Sequence, residues 1–261
     1  MNGLKRFASD LRALLTLFTT LPLGTVSMKN AAESFYLIPL IGAIEGLIIG
    51  LALYTMLLVI RHQLLIASIY MLLHVWLTGG MHLDGYADYA DVIGSHKTGS
   101  EALKVLKDPR KGVFAIVYVT INIVLSIAAM SVLLERFTSL DIFLMLAYIV
   151  YISSAESMFV LTAIGTSEPY EGLLRMFSSY AKKRRNIVMN TTIMILLLAP
   201  VTLCRCALNI AIVTAMTAII PFLVVLDAHK RLGFINGDVL GYCYEVTRVV
   251  NLVVLSAVRG V

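Results

Sequence analysis

An all-α bundle of membrane-spanning helices is the fold class this sequence predicts, on three observations. Hydrophobic residues make up 59% of the chain and charged residues only 14%, where a soluble protein carries about 25% charged residues. Its apolar residues gather into runs long enough to cross hydrocarbon, with a mean hydropathy of +0.88. Lysine and arginine alternate between rich and poor connections along the chain.

Taken in order, residues 11–23 read as an amphipathic entry helix ended by Pro22 and Gly24. Asp10 and Arg12, with no small-residue cleavage pattern after an apolar core, argue against a cleavable signal. Spans follow at residues 35–60, 64–77, 113–134, 140–164, 187–203 and 207–226. The run 249–258 is too short to cross alone, so it either extends back through 239–247 or lies shallow. The prediction is therefore a single domain, residues 1–261, of six or seven transmembrane helices with no soluble appendage. Gly42, Gly46 and Gly50, spaced by four, suit close helix approach in lipid, within the chain or across a homo-oligomer. The three cysteines, two of them Cys204 and Cys206, form neither a disulfide framework nor a zinc set.

Lys5, Arg6, Arg12 and Lys29 precede the first span, while residues 81–112, 165–186 and 228–248 hold five, five and three basic residues. The intervening turns hold one each, Arg61, Arg136 and Arg205. By the positive-inside rule the N-terminus and the three long loops face the cytoplasm, in the cell membrane. The net charge of +5 follows from that topology and from attraction to lipid headgroups, and does not imply a nucleic-acid partner.

The stretch Thr78-Gly79-Gly80-Met81-His82-Leu83-Asp84-Gly85-Tyr86-Ala87-Asp88-Tyr89-Ala90-Asp91 places three carboxylates in this apolar chain. On a helix, Asp84, Asp88 and Asp91 at i, i+4, i+7 share one narrow stripe. Such a stripe needs a positive partner, and oxygen ligands without Cys or clustered His point to a hard cation such as Mg²⁺. Gly79, Gly80 and Gly85 allow a backbone or a phosphate to come close. The loop continues through Lys104, Lys107, Asp108, Arg110, Lys111 and Gly112, and a third loop carries Lys230, Arg231, Asn236, Gly237, Asp238, Gly241 and Glu245. Carboxylates for a metal beside Lys and Arg for phosphate oxygens are equipment for phosphoryl transfer.

These residues resemble the adenosylcobinamide-GDP ribazoletransferases, or cobalamin (5′-phosphate) synthases. The resemblance is carried by Gly79-Gly80-Met81-His82-Leu83-Asp84-Gly85 with Asp88 and Asp91, by Lys107-Asp108 with Arg110 and Gly112, and by Gly237-Asp238-Val239-Leu240-Gly241 with Glu245. It implies a polytopic, all-helical, Mg²⁺-dependent membrane enzyme late in cobamide assembly. Such an enzyme joins adenosylcobinamide-GDP to α-ribazole or its 5′-phosphate and releases GMP. Asp84, Asp88 and Asp91 are then the expected metal ligands, with Asp108 or Asp238 completing the shell. Lys107, Arg110 and Lys111 are the expected phosphate contacts, with Asn236, Asp238 and Glu245 also toward substrate. The base that takes the nucleophile's proton is Asp88, Asp91 or Asp238. His82, two residues before Asp84, falls on another side of the helix and suits a structural or substrate-edge role.

Departures from the family pattern concern substrate contacts. Ser153-Ser154-Ala155-Glu156 and Pro169-Tyr170-Glu171-Gly172-Leu173 lack two expected arginines, for which Arg175 or Lys182-Lys183-Arg184-Arg185 could substitute. Asn236 stands where Thr is usual and Arg248 where a second Glu is usual, which points to an altered substrate or nucleotide preference. Glu45 and Glu156 lie within apolar runs, where a carboxylate is costly unless paired, and neither they nor His74 and His229 have a partner visible in sequence. Two other readings carry less of the pattern. A transporter would use Glu45, Glu156 and Asp227, but its expected inverted repeat is not visible. A CDP-alcohol phosphatidyltransferase would need an acid and an arginine where Met81 and Asp88 stand.

Overall fold

A computed structural model describes residues 3–25, 27–137, 139–202 and 207–257 of the chain. The described helices are α1 (Gly3–Phe18), α2 (Met28–Glu33), α3 (Ile38–Leu57), α4 (Gln63–Thr78), α5 (Met81–Ser95), α6 (Gly99–Leu106), α7 (Val113–Arg136), α8 (Leu140–Ile164), α9 (Leu173–Ala181), α10 (Arg184–Thr202), α11 (Ala207–Arg231) and α12 (Gly237–Ala257). A 3-10 turn, Phe35–Leu37, leads into α3.

Among the described residues, five stretches are long and apolar enough to cross a membrane: Phe35–Leu57, Val113–Arg136, Phe143–Ile164, Ala211–Arg231 and Gly237–Ala257. A sixth span is completed if α4 and α5 are counted as one, bent by 96°. The all-α membrane class stands, with five or six such stretches among the described residues where six or seven spans were expected. The run 187–203 forms α10 (Arg184–Thr202), which ends at the edge of the described residues. The last span lies where the extension back from residue 249 puts it, but it begins at Gly237, so the third motif is the first turns of a membrane-length helix and not a loop. The entry helix also differs from expectation: it starts at Gly3 and stops at Phe18, four residues ahead of Pro22. Cys204, Arg205 and Cys206 lie outside the described residues.

Helix α8 is the central post, since 83% of its span is buried against 28% for α7, whose Val117, Ile121 and Val124 face outward. Small residues let α3 lie directly on it. A Cβ added at Gly46 would stand 2.8 Å from the Ala147 carbonyl oxygen, and Gly42 meets the Tyr151 backbone. This glycine face is filled by the chain's own α8, so it is not free for a homo-oligomer.

Many of the polar groups inside the bundle are paired with one another. The Arg248 guanidinium donates to Glu245 Oε2 (2.7 Å from Nη2), Tyr70 Oη (2.8 Å), Asn122 Oδ1 (2.8 Å) and Ser126 Oγ (3.1 Å). His74 Nε2 lies 2.9 Å from Glu245 Oε1, and its Nδ1 is 3.1 Å from Tyr151 Oη. Glu45 accepts from Tyr244 Oη at 2.7 Å, and Glu156 from Asn190 Nδ2 at 2.9 Å. These contacts join α3, α4, α7, α8, α10 and α12, as a low-dielectric interior requires of buried polar groups.

Candidate active site

Two consecutive glycines set the site's geometry. Gly79 and Gly80 have φ of 64° and 69°, a left-handed conformation that costs a glycine little, and they end α4 and turn the chain into α5. Thr20, just beyond α1, donates through its N–H to the Leu77 carbonyl (2.8 Å) and through Oγ1 to the Trp76 carbonyl (2.9 Å), satisfying orphan acceptors at the end of α4. That contact fixes the end of α1 beside the start of α5.

Glycine also brings the first and third motifs together. Gly85 of α5 meets the Asp238 backbone, where a Cβ would lie 3.0 Å from Asp238 Cα. On Gly241 of α12 a Cβ would lie 2.8 Å from the His82 carbonyl oxygen. The close approach expected of the motif glycines is made by Gly85 and Gly241, whereas Gly79 and Gly80 make the turn. Asn236 caps α12, its Oδ1 accepting from the Val239 N–H (3.2 Å), and its Nδ2 donates to Asp238 Oδ2 (2.7 Å). Thr and Asn are both N-cap residues, so Asn236 does the capping work that a Thr would do there.

The acidic segment is helical, and its three aspartates have three different surroundings. Asp84 is exposed, with Lys111 Nζ 2.9 Å from its Oδ1. Asp88 is mostly covered and pairs with the same ammonium. Burial works to lower the Lys111 pKa, but the hydrogen bonds to Asp88 and Asp84 outweigh it and hold it above the ordinary lysine value. Asp91 is buried and accepts from the N–H of Gly112 (2.5 Å) and of Ala115 (2.8 Å), so both its oxygens serve the start of α7. Asp238, from α12, lies within electrostatic reach of Asp84, Asp88 and Lys111. Two carboxylates of α5 thus share one ammonium, and a third from α12 lies within electrostatic reach of it.

The site opens into a cleft of about 240 Å³. One wall is Asp84, Gly85, His82, Asp238 and Gly241; the other is apolar, from Leu17 and Phe18 of α1 and Leu173, Leu174 and Phe177 of α9. His82 is buried under α12, its ring stacked on Tyr244 (4.1 Å between centroids) and near Phe18 (6.0 Å). Its Nε2 is buried with no hydrogen-bond partner among the described residues.

Other residues expected here lie elsewhere. Glu245 is fully buried between Arg248 and His74 and does not line the cleft. Arg248, which stands where the family usually has a second Glu, is that glutamate's counter-ion deep in the bundle. Arg110 forks onto Asp108, with Nη2 2.9 Å from Oδ2, in the exposed turn before α7. The Arg110 side-chain hydrogen bonds, followed by its backbone N–H, hold Asp108 down to about 2. Lys107 stands over the Tyr170 ring at 4.9 Å. Neither Arg175 nor the 182–185 run lines the cleft, so neither returns a positive charge to it. Among the described residues, no three His, Cys, Asp or Glu side chains are already gathered to hold a metal ion; the Lys111 ammonium stands between the two nearest carboxylates.

Sequence reasoning missed the aromatic and aliphatic wall from α1 and α9. Its signal was present in Leu17-Phe18 and Leu173-Leu174 with Phe177, amphipathic patterns that read equally as packing. The carboxylates Glu45, Glu156 and Asp227, which a cation path would have strung together, are each bonded to separate partners, Asp227 to Arg231 and Tyr89.

Residues 10–256 match the family described as cobalamin-5-phosphate synthase. The adenosylcobinamide-GDP ribazoletransferase of Acinetobacter baumannii (strain ACICU) is 31% identical over 246 residues, covering 89% of this chain and 90% of its own. The protein of that name from Clostridium perfringens (strain SM101) is 25% identical over 98% of this chain and 100% of its own. A third, from Methanosarcina mazei, is 28% identical over 91% and 88%. No solved structure matches the chain.

Proposed function

The chain belongs to the cobalamin-5-phosphate synthase family, and from that premise we propose that it joins adenosylcobinamide-GDP to α-ribazole or its 5′-phosphate, releasing GMP, at the cleft between α5 and α12. It is thus a transferase of cobalamin assembly. The observation that carries the assignment to this cleft is the pairing of Asp84 and Asp88 with one ammonium, with Asp238 of α12 within electrostatic reach, beside an apolar wall.

In the proposed reaction a ribose hydroxyl of the ribazole attacks the phosphorus on the cobinamide side of the diphosphate. Its bond to the bridging oxygen breaks, and GMP leaves with the electron pair. Oxygen-only donors at this centre suit Mg²⁺, and a seat that already accepts an ammonium between two carboxylates suits a hard cation. Asp84, Asp88 and Asp238 would hold it, and it would supply charge neutralisation to the diphosphate. Lys111, displaced from the carboxylates, is placed to turn to a phosphate oxygen at the end of a short loop. Asp88, the more enclosed of the α5 pair, accepts the hydroxyl proton in this scheme. Asp91 supports the site by holding Gly112, next to Lys111, to α5. The apolar wall receives the flat base of the ribazole. With basic residues concentrated in the connections that flank the site, it faces the cytoplasm of the cell membrane.

The test is GMP formation by the purified chain given both substrates with Mg²⁺ or with EDTA. Formation that needs both substrates and stops in EDTA supports the proposal; formation unaffected by EDTA removes the metal from it.

A further inference from the structure

A second cleft, of about 310 Å³, lies outside this site and shares no lining residue with it. Arg6, Phe7 and Asp10 of α1, Glu33 of α2, Tyr180 of α9 and the α9–α10 junction with Lys183, Arg185 and Asn186 surround it. We propose that it binds the phosphodiester headgroup of an anionic glycerophospholipid.

The charge balance favours an anion. Glu33 Oε1 is already engaged by the Tyr180 hydroxyl at 3.0 Å. Asp10 faces Arg6 only at 4.0 Å, and its pKa is raised, chiefly by burial. Lys183 sits over the Tyr180 ring at 4.1 Å, and neither it nor Arg185 makes an ion pair with a carboxylate among the described residues. Three cations from two separate elements therefore line a space in which one carboxylate is engaged and the other is drawn toward its neutral form. Guanidinium groups suit the oxygens of a phosphodiester.

Apolar surface beside the cleft selects a lipid over a soluble phosphate. Leu4 and Phe7 of α1 are 79% and 43% exposed, and Met28 and Met176 are exposed on α2 and α9. Helix α1 has basic residues on one face and these apolar ones on another, the pattern of a helix lying in the membrane interface, where headgroups stand. The acyl chains then lie along Leu4 and Phe7 while the phosphate enters the cleft. Because the far end of α1 supplies Leu17 and Phe18 to the other cleft, the lipid fixes a helix shared by both.

The experiment is native mass spectrometry of the full chain in detergent with phosphatidylglycerol or phosphatidylcholine added. Phosphatidylglycerol should be retained about tenfold better. That preference should fall about tenfold in Arg6→Gln/Arg185→Gln, persist in Arg6→Lys/Arg185→Lys, and be unchanged in Lys97→Gln/Lys104→Gln, which removes the same charge from exposed residues elsewhere. Equal loss in both glutamine pairs, or no preference in the parent chain, would overturn the proposal. Displacement of phosphatidylglycerol by millimolar inorganic phosphate would overturn the choice of a lipid.

Discussion

Replacing Arg248 with Met tests how the bundle is held. Arg248 and Glu245 are both fully buried, and the guanidinium donates to Glu245, Tyr70, Ser126 and Asn122. Removing it leaves the Glu245 carboxylate inside the protein with only His74 beside it. Breaking a buried pair from one side costs about 3–5 kcal/mol. For a chain of this size that corresponds to a fall in Tm of about 6–20 °C. Thermal unfolding in detergent, followed by circular dichroism, reads the effect. The double change Glu245→Leu/Arg248→Met removes both charges and should recover more than half of the loss, because the cost lies in the unpaired carboxylate. A single change costing less than about 1 kcal/mol, the scale of an exposed pair, would refute the reasoning. So would a double variant whose loss is the sum of the two singles.

Gly241→Leu places a side chain where the His82 carbonyl approaches; it should separate α5 from α12 and cut GMP release at least about tenfold, with helical content unchanged by circular dichroism. Asp91→Ala strips two acceptors from the first turn of α7 and should cost about 1–2 kcal/mol in the same melts. Lys111→Met should slow GMP release by about 100-fold without restoration at higher Mg²⁺, since the lost group contacts phosphate and not metal; near-normal rates would remove Lys111 from the reaction.

Much of this fold was legible because hydropathy is a one-dimensional signal, and a helix long enough to cross a bilayer declares itself by length. The α5 stripe was legible too, since i, i+4, i+7 spacing defines a face whatever packs on it. That face did not reveal that Asp91 turns to α7 while Asp84 and Asp88 share Lys111, because a stripe says nothing about what lies opposite each position. Glu245 and Arg248 are three residues apart and could have been read as a helical pair, yet the motif resemblance drew attention to the substrate instead. The partners of Glu45, Glu156 and His74 lie far away in sequence, at Tyr244, Asn190 and Tyr151, where no local pattern reaches. The crossing of α5 and α12 was written in Gly85 and Gly241, but two single glycines acquire that meaning only once the helices are seen in contact.

The most direct test of the proposed site compares Asp238→Asn with Asp108→Asn in a Mg²⁺ titration of GMP release. Asp238 faces the α5 carboxylates from another helix, whereas Asp108 is tied to Arg110 in an exposed turn. The account predicts that Asp238→Asn raises the Mg²⁺ needed for half-maximal release and lowers the maximal rate, while Asp108→Asn leaves the titration as in the parent chain. A Mg²⁺ requirement shifted by Asp108→Asn and untouched by Asp238→Asn would contradict it.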